Sequence, residues 1–113
     1  MSVQINTLLK DLKENQIKFA AVISFIENLY QHHPTAFKNG TVFNQADQNQ
    51  GSAKVFYFAQ LKNLSKEETL LLFAEHYQSV LANPEGTDHQ NIRQFMLNGW
   101  AGISFEGKAL KSK

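Results

Sequence analysis

The amino-acid sequence predicts a mainly α-helical fold: a compact orthogonal array of about five helices with a long, ordered loop rich in asparagine and glycine, and at most one short two-stranded β ribbon. Three observations lead to this fold class. Apolar residues recur at helical spacing through most of the chain, and capping and stop signals separate these segments. The 113 residues are 42% hydrophobic, enough for one core in a single domain spanning residues 1–113.

Two helices are predicted before Pro34. The first has an apolar face of residues three and four positions apart, namely Ile5, Leu8, Leu9 and Leu12. The second carries the same pattern from Phe19 to Tyr30. It should end near His32 or His33, because the residue before a proline avoids helical geometry.

The segment Pro34–Ser52 predicts a long loop, since asparagine, glutamine and glycine dominate it, and asparagine and glycine tolerate positive φ. Loops of this length in a small domain are usually either functional or disordered. Large apolar residues that can anchor the loop to the core favour order, namely Phe37, Val42 and Phe43.

A central helix is predicted over Lys54–Leu61. This run is apolar at almost every position, a pattern that a buried strand would share. We predict a helix because Gly51 and Ser52 offer an N-cap and Asn63 a stop signal, which gives about three turns, longer than a usual strand. Periodicity alone leaves the strand open for Val55–Leu61.

The strongest helix-start signal is at Ser65, which Glu68 follows three residues later in a capping box. A single helix is predicted from there, with Pro84 ending it. Its apolar face comprises Leu70, Phe73, Ala74, Tyr77 and Leu81.

The last helix is predicted after a turn at Pro84–Thr87. Asp88 would be its N-cap and Gly99 would close it. Its core-facing residues would be Ile92, Phe95 and Met96. Beyond it, the alternation in Ile103–Phe105 predicts a short ribbon paired with Thr41–Phe43.

The composition excludes several classes of function. The chain has no cysteine, which removes thiol catalysis, cysteine-held clusters and disulfides. Its 11 Lys and Arg against 10 Asp and Glu give a net charge of +1, too even for a nucleic-acid or membrane-surface binder. No segment predicts a membrane span or a cleaved export signal. We expect no metal or other cofactor, since His32 and His33 are adjacent and lack metal-ligand spacing.

Several motifs together resemble one bacterial family. They are Pro34-Thr35-Ala36-Phe37-x-Asn39-Gly40, Asn44-x-Ala46-x-x-Asn49-x-Gly51-Ser52-x-Lys54-Val55-Phe56-x-Phe58-Ala59-Gln60-Leu61, Asp88-His89-x-Asn91-Ile92-Arg93-x-Phe95-Met96 and Gly99-Trp100. This combination, spread over Leu8–Leu110, resembles the HopJ type III effector family. The resemblance implies delivery into host cells by plant-pathogenic bacteria, although the family extends beyond pathogens. It carries over no catalytic activity.

The best candidate site is polar and combines the asparagine-rich loop with the start of the last helix. Its residues are Asn39, Asn44, Asn49, Ser52, Asp88, His89, Asn91, Arg93 and Trp100. A helix N-terminus attracts anions, Arg93 could hold an anion by two hydrogen bonds, and His89 could exchange a proton near neutral pH. The alternative is structural: Asp88 caps the helix, the asparagines fold their own loop, and Arg93 pairs with Glu106.

These observations leave two hypotheses about function. The first is a small bacterial interaction protein of unknown biochemical activity that binds a protein partner or a small anionic ligand. The alternative is a small enzyme or a sensor of an anionic metabolite that uses the loop, His89 and Arg93. The first is favoured because no catalytic constellation is present and no catalytic residue is predicted. Since Ile5–Leu12 predicts a helix folded on the core, we expect the chain to stay in the bacterial cytoplasm.

Overall fold

Six α-helices and five short strands make up the described part of the chain, so the fold is mixed α/β and the predicted mainly α-helical class is wrong. The computed structural model describes residues 3–113. The helices are α1 (Val3–Lys13), α2 (Phe19–Leu29), α3 (Gln50–Leu61), α4 (Lys66–Leu71), α5 (Glu75–Ala82), α6 (Gln90–Asn98) and a 3₁₀ helix (Gly99–Gly102). The strands are β1 (Tyr30–His32), β2 (Phe37–Asn39), β3 (Val42–Asn44), β4 (Ile103–Phe105) and β5 (Leu110–Ser112). None of the helices within residues 3–113 is both long and apolar enough to cross a membrane.

The strands form two antiparallel sheets, one of β1 with β5 and one in the order β3-β2-β4. In the second sheet Phe37 stands opposite Asn44 on one side and Phe105 on the other. The predicted strand at Ile103–Phe105 is confirmed as β4, and Val42 and Phe43 lie in β3. The predicted pairing of these two segments is wrong, because β2 lies between them. The alternation of apolar and polar residues that indicates a strand was not recognisable in β2. Its two buried positions are Phe37 and Asn39, and the second of them is polar.

The second helix ends at Leu29, before the predicted end near His32 or His33. Tyr30 leaves the helix with extended angles, φ −134° and ψ 150°, and begins β1. Its partner strand lies at the far end of the sequence, with Tyr30 opposite Ser112. The apolar pattern of α2 did not predict that the helix ends at Leu29. The hydrogen bonds that replace helical ones there come from β5, which is remote in sequence.

The central helix is confirmed and forms the middle of the core. It starts at Gln50, before the predicted cap at Gly51 and Ser52, because Asn49 takes the N-cap position in a left-handed conformation. Phe56 is fully buried at its centre. Its ring lies 4.9 Å from that of Phe95 and 5.3 Å from that of Phe73, measured between ring centroids. The core thus joins α3 to α6 and to the segment between α4 and α5.

The single helix predicted after Ser65 is two helices. α4 ends at Leu71, and tight turns lead to Ala74, whose φ of 51° and ψ of −123° are angles that L residues rarely adopt. The break buries Phe73 and brings Glu75 to the start of α2, where its carboxylate accepts a hydrogen bond from the Phe19 N–H at 2.7 Å. That remote contact, invisible in the local pattern, favours two helices over one.

The single long loop predicted over Pro34–Ser52 is wrong, because this segment contains β2, β3 and the start of α3. Its predicted anchors differ in burial. Phe37 is fully buried, as expected, but Phe43 is 56% exposed, so its predicted anchoring role is wrong. The period of two along β3 turns Phe43 outward and Asn44 inward. Buried asparagines therefore take the place of apolar anchors in this part of the fold.

The capping box at Ser65 is confirmed: the Ser65 hydroxyl accepts from the Glu68 N–H at 3.1 Å, and the Glu68 carboxylate accepts from the Ser65 N–H at 2.9 Å. Ser65→Ala should lower the free energy of unfolding by about 1 kcal/mol, because it leaves a helix N–H without its acceptor. Urea denaturation measures this. Ser24→Ala, on an exposed position within α2, is the control and should not lower stability. Equal midpoints for Ser65→Ala and the parent would contradict the assignment.

Candidate functional site

Asparagine side chains form a hydrogen-bonded network that joins β2 and β3 to the starts of α3 and α6. Asn44 Oδ1 accepts from Asn49 Nδ2 at 2.8 Å and from Asn91 Nδ2 at 3.0 Å. Asn91 Oδ1 accepts from Asn39 Nδ2 at 3.0 Å and from Asn44 Nδ2 at 3.1 Å. The network therefore sets the position of the two helix starts relative to each other.

The network lies almost entirely out of solvent. Asn39 and Asn44 are 0% and 1% exposed, and Asn91 is 7% exposed. Asn39 Nδ2 also donates to the Asn91 carbonyl at 2.8 Å, and Asn44 Nδ2 to the Phe37 carbonyl at 3.4 Å. Within residues 3–113, Asn39 Oδ1 is the one buried side-chain polar atom without a partner. Because the amides bond one another, most of their hydrogen-bonding capacity serves the fold.

A cleft of about 430 Å³ opens beside this network. Phe19 and Phe73 form an aromatic wall of the cleft, with their rings nearly parallel and the ring centroids 5.9 Å apart. His76 and His89 add imidazoles, and residues from the first turns of α3 and α6 complete the lining. The lining of the cleft thus combines aromatic, aliphatic and polar residues.

Two helices begin at this cleft without a side-chain cap. Their N-cap residues, Asn49 for α3 and His89 for α6, both have left-handed backbone angles, with φ of 50° and 51°. The first helical hydrogen bonds are donated by Ala53 and Arg93. In the part of the chain that the structure describes, the N–H groups of residues 50–52 and 90–92 have no acceptor. Unpaired N–H groups and the positive end of the helix dipole favour an anion.

The imidazoles of His76 and His89 face each other across the cleft, with ring centroids 5.1 Å apart and planes inclined by 39°. The His76 ring also packs edge-on against Phe19 at 4.9 Å. His89 Nε2 lies 3.9 Å from Asp88 Oδ2, too far for a hydrogen bond. Among the described residues, neither imidazole has a hydrogen-bond partner on the protein.

Glu75 holds the aromatic wall in place through its hydrogen bond to the Phe19 N–H. Burial acts to raise the pKa of the Glu75 carboxyl, but the hydrogen bonds from the Phe19 N–H and from its own N–H outweigh burial and keep the pKa below its usual range. The Glu75 carboxylate therefore remains ionised next to His76 at neutral pH and stays hydrogen-bonded to the Phe19 N–H at the start of α2.

Comparison with known proteins identifies the family. The model of the HopJ type III effector protein family matches residues 5–110. The chain belongs to this family. The HopJ chain is also similar to a solved structure described as "Crystal structure of unknown function protein VPA0580", with 44% sequence identity and a TM-score of 0.88, over 100% of this chain and 95% of that one. No functionally curated protein is significantly similar to it.

Arg93 and Asp88 of this HopJ chain do not line the cleft and pair with each other. Arg93 Nη2 donates to Asp88 Oδ1 at 2.7 Å, and its other nitrogens donate to the Asp88 and Pro84 carbonyls. This hydrogen bond holds the pKa of the Asp88 carboxyl below its usual range. The predicted Asp88 cap and the predicted pair of Arg93 with Glu106 are both wrong, because His89 occupies the N-cap and leaves Asp88 to Arg93.

Arg93→Ala should lower the free energy of unfolding by about 1 kcal/mol. The ion pair adds little because Asp88 is exposed, but the variant removes donors from two carbonyls of the turn before α6. Chemical denaturation measures the change, with Lys10→Ala on an exposed face of α1 as the control. An unaltered midpoint would show that Arg93 does not support the fold.

Trp100 also lies outside the cleft. Its Nε1 donates to the Leu64 carbonyl at 3.1 Å, and its ring packs edge-on against Phe95 with centroids 5.0 Å apart. The half-buried indole thus covers the core next to α3 of the HopJ fold.

The structure therefore divides the predicted site. It brings Asn49, Ser52, His89 and Asn91 together at the cleft, and places Asn39 and Asn44 in the adjoining network. Asp88, Arg93 and Trp100 lie elsewhere. Sequence reasoning missed lining residues that remote contacts bring in, namely Phe19, Phe73 and His76. One signal for His76 was present, a polar Glu75-His76 pair interrupting an apolar helical pattern. Within residues 3–113, no three metal-ligating side chains cluster.

Proposed function

We propose that this HopJ-family protein is a binding protein for a small molecule that places an anionic group in the cleft between the starts of α3 and α6. One observation carries the proposal: two helix starts without a side-chain cap and two imidazoles without a hydrogen-bond partner among the described residues line the same cleft. The proposal keeps the interaction-protein hypothesis and locates the ligand away from Arg93.

The electrostatics of the lining support an anion. Among residues 3–113, no Asp, Glu, Lys or Arg is part of the cleft lining. The nearby carboxylates of Glu75 and Asp88 are hydrogen-bonded to the Phe19 N–H and to Arg93. Helix N-termini carry a partial positive charge and present N–H groups, which is the usual basis of anion binding by backbone. An anion there would supply the acceptors that residues 50–52 and 90–92 lack.

The size and the apolar wall support a ligand larger than an inorganic ion. A cleft of about 430 Å³ is within the range typical of small-molecule sites. Phe19, Phe73 and Ile92 form an apolar side that would cover a carbon skeleton. The ligand class is therefore an organic acid or a phosphorylated metabolite.

The family name adds an effector role, in which the protein would bind its ligand inside a host cell. We propose instead that the chain acts in the bacterial cytoplasm. The apolar face of α1 supports this proposal, because Ile5, Leu8, Leu9 and Leu12 are all at most 6% exposed. A secretion signal read as an extended segment would need this helix to leave the core.

Thermal denaturation in the presence of single carboxylated and phosphorylated metabolites, at constant ionic strength, tests the binding proposal. A ligand at one hundred times its Kd should add about 2.7 kcal/mol to the free energy of unfolding, a rise of several degrees in Tm. Ser52→Glu should abolish the rise, because it places a carboxylate at the start of α3 within the cleft.

Ser79→Glu is the matched control, since Ser79 is exposed on α5 and does not line the cleft. It should keep the full ligand-induced rise in Tm. If no anionic metabolite raises the Tm, or if Ser52→Glu responds as strongly as Ser79→Glu, the cleft is not the binding site.

A further inference from the structure

An apolar groove runs between α5 and α6 on the surface of the molecule. This α5–α6 groove has a volume of about 350 Å³ and is separate from the cleft, although Gln90 borders both. Gln90 and Gln94 form an uncharged polar border around an apolar centre, which is the usual arrangement of a protein interface. Its apolar lining comprises Val80, Leu81, Pro84, Met96 and Leu97.

Two leucines of the groove are more exposed than the fold of one chain requires. Leu97 is 76% exposed, more than any other large apolar side chain within residues 3–113. Leu81 is 47% exposed, although the sequence pattern predicted it on the apolar face of a core helix. Because both side chains line the same groove, their exposed area is contiguous. Contiguous apolar surface of this kind marks a site of contact with another protein.

The charge of the groove indicates which partner it fits. Arg93 is the one charged residue among the described lining, and its Nη2 is bound to Asp88 Oδ1 at 2.7 Å. Glu85 follows Pro84 in the turn but does not line the groove. An acidic or basic partner would therefore find no complementary charge. In a twofold contact one patch faces its own copy, so a net charge would repel itself, and this neutral patch avoids that repulsion.

The shape of the groove also fits a second copy. A twofold contact uses the same patch on both chains, so the patch has to offer both a projecting group and a recess. Leu97 projects into solvent from α6, and the recess beside it lies between α6 and the end of α5. Leu97 of each copy can therefore enter the groove of the other copy.

We propose that the α5–α6 groove is the interface of a homodimer, in which two copies of this chain pack their grooves together around a twofold axis. We expect a Kd on the order of 10–100 μM, because a groove of this size anchors an interface at the small end of the usual range. The inference is independent of the proposed function, since Ser52 and the two imidazoles of the cleft do not line the groove. Ser52→Glu should therefore dimerise like the parent, whatever its response to ligands.

Sedimentation equilibrium over about 1 μM to about 1 mM protein tests the dimer. The average mass of the parent should rise with concentration from 12.8 kDa toward about twice that value. Leu97→Glu should weaken association at least about 100-fold, because it places a carboxylate of each copy in the apolar groove of the other. The variant should fold like the parent, since the Leu97 side chain is mostly in solvent.

Leu61→Glu is the matched control. Leu61 is also an exposed leucine in the last turn of a helix, 46% exposed at the end of α3, and it does not line the groove. This variant should keep the Kd of the parent. Circular dichroism of both variants checks that each retains the helical content of the parent.

An NMR dilution series of the ¹⁵N-labelled parent locates the interface without any substitution. The largest concentration-dependent shifts should belong to the amides of Leu81, Gln94 and Leu97. A parent that remains at 12.8 kDa up to about 1 mM would overturn the homodimer. A dimer that Leu97→Glu leaves intact, or whose shifts lie on another face, would overturn its assignment to the α5–α6 groove.

Discussion

Asn44→Ala should lower the free energy of unfolding by about 3 kcal/mol. Asn44 is 1% exposed and takes part in hydrogen bonds with Asn49, Asn91 and the Phe37 carbonyl. Alanine at position 44 leaves these buried groups without a hydrogen-bond partner. Each buried polar group that loses its partner lowers the free energy of unfolding by about 1–3 kcal/mol. Chemical denaturation at equilibrium measures the loss.

The matched control for Asn44→Ala is Asn28→Ala, on an exposed position of α2 whose side chain has no hydrogen bond to any of residues 3–113. Its effect should stay within about 0.5 kcal/mol. Comparable losses in the two variants would mean that the asparagine network does not stabilise the native state more than a solvated amide does.

Phe56→Ala should cost about 4 kcal/mol, the usual range for removing a fully buried phenylalanine. Phe56 is 0% exposed, and its ring contacts those of Phe37, Phe73 and Phe95. The variant leaves a cavity where α3 meets both the sheet and α6. Denaturation midpoint and slope together give the change in free energy.

Phe43→Ala is the control for Phe56→Ala, because Phe43 is 56% exposed on β3. It should cost less than about 1 kcal/mol, since most of this ring is already in solvent. A loss for Phe43→Ala close to that for Phe56→Ala would contradict the orientation of β3.

The helices were predictable because their signals are local. Apolar residues three and four apart identified α1, and the capping box at Ser65 located the start of α4. The positions where prediction was wrong, Leu29 and Ala74, are helix ends or breaks where remote residues compete. Hydrogen bonds from β5 and from Phe19 set those ends, and no local pattern contains them.

The strands were predictable only in part, because each has three residues. The alternation in Ile103–Phe105 identified β4 but not its partner strand, β2. A period of two needs more than three positions to be distinguished from chance, and in β2 and β3 the buried positions include Asn39 and Asn44. Tyr30–His32 matched the helical pattern of α2 until its pairing with Leu110–Ser112 was known.

The candidate site was predictable where it coincides with helix starts. Asn49, Ser52, His89 and Asn91 stood beside predicted helix starts, and all four line the cleft. The polar Glu75-His76 pair marked His76, but its place at the cleft was not predictable, because it depends on the break at Ala74 that separates α4 from α5. The charge of Arg93 suggested a binding residue, but its side chain instead donates hydrogen bonds to the turn that precedes α6.

An NMR titration of ¹⁵N-labelled protein with sodium sulfate at pH 6 and constant ionic strength tests the central claim most directly, because it observes the backbone amides that would bind the anion. The largest saturable shifts should belong to residues 50–52 and 90–92, with smaller shifts at His76. If the largest shifts instead belong to the basic tail at Lys108, Lys111 and Lys113, while the amides at the starts of α3 and α6 stay unchanged, the cleft does not bind anions.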